Sequence, residues 1–154
     1  MKIFASELAL AISLMAGPQG ATTDDAQVRD LVCMARNIYH EARGEPTTGQ
    51  AAVAYVVLNR TESPGFPTTP CEVVFEDNQF SWTERAQDAY PHEWDAYRKA
   101  MEVAIGVMEG TIHNPIDDAV YFYAGSVTPR WARGFDRVAT IGAHRFYRDD
   151  DAQG

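Results

Sequence analysis

The break at Arg43-Gly44-Glu45-Pro46 constrains this chain most, because it separates two apolar segments that both carry the pattern of buried helices. Before it, Val28, Leu31, Val32, Ala35, Ile38, Tyr39 and Ala42 recur at helical spacing, which predicts a helix over 25–42 with one face in the core. Thr22-Thr23-Asp24-Asp25 offers N-caps and places acids at the positive end of the helix dipole. Arg43-Gly44 stops the helix, and Pro46 prevents it from running on. Beyond the break Thr47 or Thr48 is expected to cap a second helix, whose Ala52, Val53, Val56 and Val57 make it apolar on nearly every side, as in a central helix. Asn59 and Arg60 end that helix, either as C-terminal caps or as braces for a neighbouring loop.

Glu41 falls roughly 100° round the first helix from the centre of its apolar face, which places it on a groove edge. It also stands in the last helical turn, where the carbonyl end of the dipole disfavours an ionised carboxylate. Partial burial acts in the same direction, so a raised pKa and a protonated acid able to serve a leaving oxygen are expected. The plainer alternative is that Glu41 and Glu45 are solvated charges beside Arg36 and Arg43.

A chain of 154 residues with 45% hydrophobic content is sized for one globular domain. Its formal charge of −9 argues against a nucleic-acid surface, so any polymer it binds must be recognised by shape, stacking and hydrogen bonds. Residues 1–21, with Lys2 ahead of the apolar run Leu8 to Ala16 and Gly17-Pro18 after it, resemble a secretory signal peptide, although Glu7 interrupts the start and no clean cleavage site stands out. The run is too short to span a bilayer, and no other segment is a candidate span. A secreted or periplasmic protein is therefore expected, its domain over 22–148 followed by an acidic tail at 149–154.

Cys33 and Cys71, the only cysteines, either pair or remain buried thiols. Two cysteines do not close a metal site, and His40-Glu41 lacks the second histidine of H-E-x-x-H because position 44 is glycine, so neither metal nor cofactor is expected.

Thr61 to Pro70, with three prolines and a glycine, predicts a surface loop, and Cys71 to Phe75 a short helical turn. In Gln79-Phe80-Ser81-Trp82-Thr83 the two aromatic residues suit a sugar-stacking wall or, equally, the core. Pro91 to Glu109 predicts a third helix with Trp94, Tyr97, Met101, Ala104, Ile105 and Met108 on its buried face and Gly110 as its stop. From Ala119 the period changes: Val120 and Phe122 alternate with Tyr121 and Tyr123, and Thr140 to Tyr147 alternates around Gly142, which predicts two short strands in a small antiparallel sheet. The loop Gly125 to Phe135 between them is long enough to border a cleft, making Tyr121, Tyr123, Trp131 and His144 candidate groove residues. A histidine in such a place is more often structural than catalytic.

The string Cys33-Met34-Ala35-Arg36-Asn37-Ile38-Tyr39-His40-Glu41-Ala42-Arg43-Gly44-Glu45-Pro46, then Gly49-Gln50-Ala51-Ala52-Val53-Ala54 and Val57-Leu58-Asn59-Arg60, resembles the SleB-type cell wall hydrolases, the spore-cortex-lytic enzyme family. The likeness continues through Phe66-Pro67, Cys71, Val73-Val74, Gln79-Phe80-Ser81-Trp82, Ala119 to Tyr123, Pro129 to Ala132, Ile141-Gly142, His144, Phe146 and Tyr147. Many blocks in order make this a specific signal. The resemblance implies an α+β, mainly α, lysozyme-like single domain with a small antiparallel sheet, acting on the glycan strands of peptidoglycan; a monomer is expected. It implies Glu41 as catalytic acid/base at the β-1,4 bond between N-acetylmuramic acid and N-acetylglucosamine, in a lytic transglycosylase cycle that needs no second carboxylate. Glu45 is the nearby supporting carboxylate, and its plainer role is pairing with Arg43 or capping the next helix. Gln50 and Ser81 join the substrate-binding candidates on the matching strings. Cys33 and Cys71 align with a cysteine pair seen in family members outside spores, which implies a disulfide. His40 stands where spore members often carry glycine.

Hydrolysis of the same bond, as by an N-acetylmuramidase or phage endolysin, and a non-catalytic peptidoglycan-binding module are the alternatives. An amidase or peptidase would need a nucleophilic cysteine with a histidine, or a zinc set, and the sequence offers neither.

Overall fold

The computed structural model describes residues 23–85 and 90–149, so the leader expected over 1–21, Thr22 and most of the acidic tail lie outside the described residues. Helix α1 spans Thr23–Ala42 and buries Leu31, Val32, Ala35, Ile38, Tyr39 and Ala42, the face its spacing predicts, together with Met34. Helix α2, Thr47–Thr61, buries an unbroken run from Gly49 to Ala54 and then Val56 and Val57. Its cap differs from expectation. Pro46, extended at φ −63° and ψ 165°, is the N-cap residue, its carbonyl accepts from Gln50 N at 3.0 Å, and no side chain caps the helix. The fixed φ of proline sets the helix entrance one residue before the threonines could.

Helix α3, Pro70–Val74, is capped by Thr69 Oγ1, which accepts from Glu72 N at 3.3 Å. Cys71 forms the disulfide with Cys33 that ties α3 to α1, and Asp30 Oδ1 accepts from Cys71 N at 3.2 Å beside it. A 3₁₀ turn follows at Ser81–Glu84, and then helix α4, Trp94–Met108, which closes at Gly110 with φ 75°. The helix begins later than its sequence suggests, and Trp94 is a surface residue at 59% exposure instead of a core one. As the first helical residue it lies at the rim of the core, its ring edge-to-face with that of Tyr97.

The sheet has three strands where two are expected: β1 Tyr121–Ala124, β2 Asp136–Ile141 and β3 His144–Arg148, antiparallel in the order β1-β3-β2. The chain reverses at Gly142-Ala143, pairing Ile141 with His144. Strand β2 escapes notice because it lacks alternation: its outer end is exposed and the register slips between Arg137 and Ala139.

Two apolar clusters result. One fills the space among α1, α2 and α4 around Met34, Ile38, Val57 and Met101. The other joins Ala52, Val53 and Val56 of α2 to Ile116, Ala119 and Phe146 beneath the sheet. Helix α2 serves both, which is why it carries almost no polar face. The architecture is mainly α with a small antiparallel sheet, as the sequence predicts. Among the described residues no helix is long and apolar enough to cross a membrane.

Candidate active site

Glu41 stands half-buried in the last turn of α1. Burial raises its carboxyl pKa, with no opposing cation or donor among the described residues. One turn earlier on the same flank, buried Asn37 accepts from Trp82 Nε1 at 3.0 Å. That bond fixes the indole beside the helix, where His40 stacks on it at 4.4 Å and the Arg36 guanidinium lies 5.1 Å from its centre.

The turn after Glu41 is held from two sides. Glu45 N donates to Ala42 O at 2.9 Å. Gln50 Nε2 donates to Glu45 O at 3.2 Å and to Arg43 O at 3.5 Å. On the other side the Glu45 carboxylate accepts from Ala143 N, at 3.2 Å to Oε1 and 3.4 Å to Oε2, so it reaches across to the β2–β3 turn. Its Oε1 is also 3.5 Å from His144 Nδ1. His144 is 4% exposed, and the Glu41 main-chain carbonyl lies within its reach as an acceptor. Burial lowers the imidazole pKa, outweighing the opposing pull of Glu45 and that carbonyl. At neutral pH the ring is therefore uncharged, and its approach to Glu45 is a polar contact and no ion pair.

Glu45 thus takes neither of the plain roles the sequence suggests. Arg43 pairs instead with Glu93, Nε to Oε2 at 3.3 Å, and lies over the Tyr39 ring, while α2 has no side-chain cap. Glu45 joins two distant parts of the chain.

The substrate-binding candidates separate into three groups. Gln50, at 2% exposure, faces inward on the turn it braces and offers no surface to a ligand. Phe80 and Trp82 are core aromatics, Trp82 being 5% exposed, so neither presents the open wall considered for them; Ser81 between them is exposed. His144 lies on the sheet face that carries Phe122 and Phe146, towards the Glu41 turn. Tyr121 and Tyr123, alternating with Phe122, point to the other face, where Trp131 contacts both. The structure therefore brings His144 to Glu41 and places the other three candidates elsewhere.

Asn59 and Arg60 are braces. Asn59 Nδ2 donates to Asp117 O at 2.9 Å and Ala119 O at 2.8 Å. Arg60 Nε donates to Val120 O at 2.7 Å and Nη1 to Gln79 Oε1 at 3.0 Å, with the guanidinium over Phe66, Phe80 and Tyr121. Burial pushes its pKa down to about 10. Asn37 carries only a weak signal in the sequence, a polar residue one helical turn before Glu41 and next to core Ile38. Among the described residues no group of His, Cys, Asp and Glu could hold a metal.

Comparison with known proteins places these features in context. The Cell Wall Hydrolase family profile matches residues 44–147. The spore cortex-lytic enzyme of Bacillus subtilis is 35% identical over 118 residues, covering 76% of this chain and 37% of the relative. That of Oceanobacillus iheyensis is 35% identical over 131 residues, covering 84% and 43%. The chain thus spans less than half the length of these curated relatives. Among solved structures, the catalytic domain of the germination-specific lytic transglycosylase SleB from Bacillus anthracis superposes with a TM-score of 0.67 at 31% identity, covering 86% of this chain and all of that one. The catalytic domain of the Bacillus cereus SleB protein gives 0.62 at 30% identity, covering 85% and 94%.

Proposed function

The chain belongs to the Cell Wall Hydrolase family, and from that premise we propose that it cleaves the glycan strands of peptidoglycan outside the cytoplasm as a lytic transglycosylase, with Glu41 as its one acid/base. Protonated Glu41 gives its proton to the glycosidic oxygen between N-acetylmuramic acid and N-acetylglucosamine as the bond from that oxygen to C1 breaks. The carboxylate so formed then takes the proton of the muramoyl 6-hydroxyl, whose oxygen closes on C1 to give a 1,6-anhydro end. Glu41 finishes uncharged and ready for another cycle. Ser81, exposed next to the Trp82 that Asn37 holds, is left as the substrate-contact candidate, while buried His144 supports the turn after Glu41.

The observation that carries this proposal is the division of labour between two carboxylates. Glu41 is held in a setting that favours its protonated form, whereas Glu45 is committed to the Ala143 N–H. A retaining or inverting hydrolase wants two free carboxylates flanking the bond. A single-glutamate cycle does not.

The test is mass spectrometry of soluble fragments released from purified sacculi by the wild type and by Glu41→Gln. Anhydro-muropeptides from the wild type alone support the proposal. Reducing-end muramic acid would replace it with hydrolysis, and fragments from a folded Glu41→Gln variant would remove Glu41 from its role.

A further inference from the structure

The face of the sheet turned away from His144 carries a cluster of aromatic rings, with Tyr147 buried at its base, Tyr121, Tyr123 and Phe135 half-exposed and Trp131 exposed. Tyr121 and Phe135 stack at 4.9 Å with ring planes 2° apart, and Tyr123 stacks on Tyr147 at 5.9 Å. Trp131 stands edge-on to Tyr123 and Tyr147, and at 37% exposure it keeps part of its indole open to solvent. Among the described residues, no ring contact of Tyr123, Trp131 or Phe135 reaches the Glu41–Glu45 turn.

The same face is basic. By register Arg137 and Arg145 stand on it, and Arg130 and Arg133 flank Trp131 in the chain, although the formal charge of the whole chain is −9; Arg148 and Asp136 share the parity of His144 and Phe146 and belong to the opposite face. Arg137 pairs across from Tyr147, and Arg145 from Tyr123, so both emerge among the rings. The Arg145 guanidinium lies 5.4 Å from the Tyr123 ring centre, held by a 3.0 Å bond from Nη1 to Gly125 O. Arg148 pairs with Asp118, whereas Arg130, Arg133 and Arg137 are exposed. An arginine set among aromatic rings binds a ligand that offers both apolar ring faces and carboxylates.

We propose that this outer sheet face is a second, non-catalytic binding site for peptidoglycan, in which the rings take sugar faces and the arginines take the carboxylates of stem peptides. The inference rests on the substrate class proposed above. Its consequence is that the protein holds one stretch of the wall while Glu41 works on another, so binding to intact sacculi should survive loss of catalysis and depend on residues of the sheet face opposite His144.

The test uses the full chain carrying Glu41→Gln, which removes digestion, sedimented with sacculi stripped of wall teichoic acid. Adding Arg133→Glu with Arg137→Glu, or Trp131→Ala, should weaken binding about tenfold or more, and capping the stem carboxylates by amidation should weaken the parent protein similarly. Circular dichroism melts confirm that each variant is folded. In the active protein the same changes should reduce release from sacculi at least fivefold more than cleavage of a short soluble glycan. Equal binding by parent and charge-reversed proteins would overturn the proposal, as would equal losses on both substrates, which would put these residues in the catalytic groove. Binding that needs retained teichoic acid, or a labelled single-stranded oligonucleotide that outcompetes sacculi, would overturn it too. Failure of Glu41→Gln to abolish cleavage bears only on the function above.

Discussion

Glu45 Oε2 occupies the space that a side chain on Gly142 would need: a Cβ built there would lie 1.8 Å from it. The residues are almost a hundred positions apart, and Gly142 also holds φ at +56°. Gly142→Ala should therefore cost about 2–4 kcal/mol, combining left-handed backbone strain with the clash. Adding Glu45→Ala should recover part of that loss, because the clash disappears while the strain remains. Urea unfolding of the two single variants and the double measures it, and strictly additive losses would show that the carboxylate simply moves aside.

The raised pKa of Glu41 has a definite sign in stability. A carboxyl whose folded pKa exceeds its unfolded value, 4.5 for an ordinary glutamate, destabilises the fold as pH rises through the folded pKa and imposes no such cost below the unfolded one. Glu41→Gln should thus gain stability over wild type between acid and neutral pH. Activity should run the other way for the same reason, since a general acid works while protonated, and kcat should fall on the alkaline side of that raised pKa. A stability difference between the two proteins that stays constant from pH 4 to 8 would contradict the assignment.

The Cys33–Cys71 bond closes a loop with a sequence separation of 38 residues. In the chain-entropy picture such a closure contributes about 4 kcal/mol. Replacing both cysteines with serine should lower stability by that order while leaving specific activity of the folded fraction intact, because the bond joins α1 to α3 at a distance from the Glu41 turn. Chemical denaturation with matched activity assays decides the matter. A large fall in activity of fully folded variant would mean that the tether also positions α1.

Arg60 holds the start of β1 and the Gln79 loop to the end of α2 from a nearly dry setting. Arg60→Met keeps much of the volume but strands the Val120 carbonyl, for an expected loss of about 3 kcal/mol or more. Arg60→Lys should not rescue it, since a single ammonium cannot satisfy two divergent acceptors and lie flat over three rings. Thermal melts of both test this, and a stable lysine variant would reduce Arg60 to a generic charge.

Much of this was legible in the chain itself. The apolar spacing of α1, the all-round apolar character of α2 and the Gly44–Pro46 break placed Glu41 at a helix end on a half-buried flank, because local periodicity and a carboxylate's response to burial are set by neighbours within a few residues. The partnership of Glu45 with the β2–β3 turn was invisible, since one partner lies in a short hairpin whose first strand has no alternation. Only the folded chain decided which aromatic residues are core and which are surface. Phe80 and Trp82 carry the composition of a sugar wall but lie under Arg60, His40 and Arg36, whereas the one-residue alternation of β1 sends Tyr121 and Tyr123 to the face opposite His144. Residue type fixes what a side chain can do. Which face of a sheet it stands on depends on pairing register and on what packs beneath, and those are long-range properties that no local stretch contains.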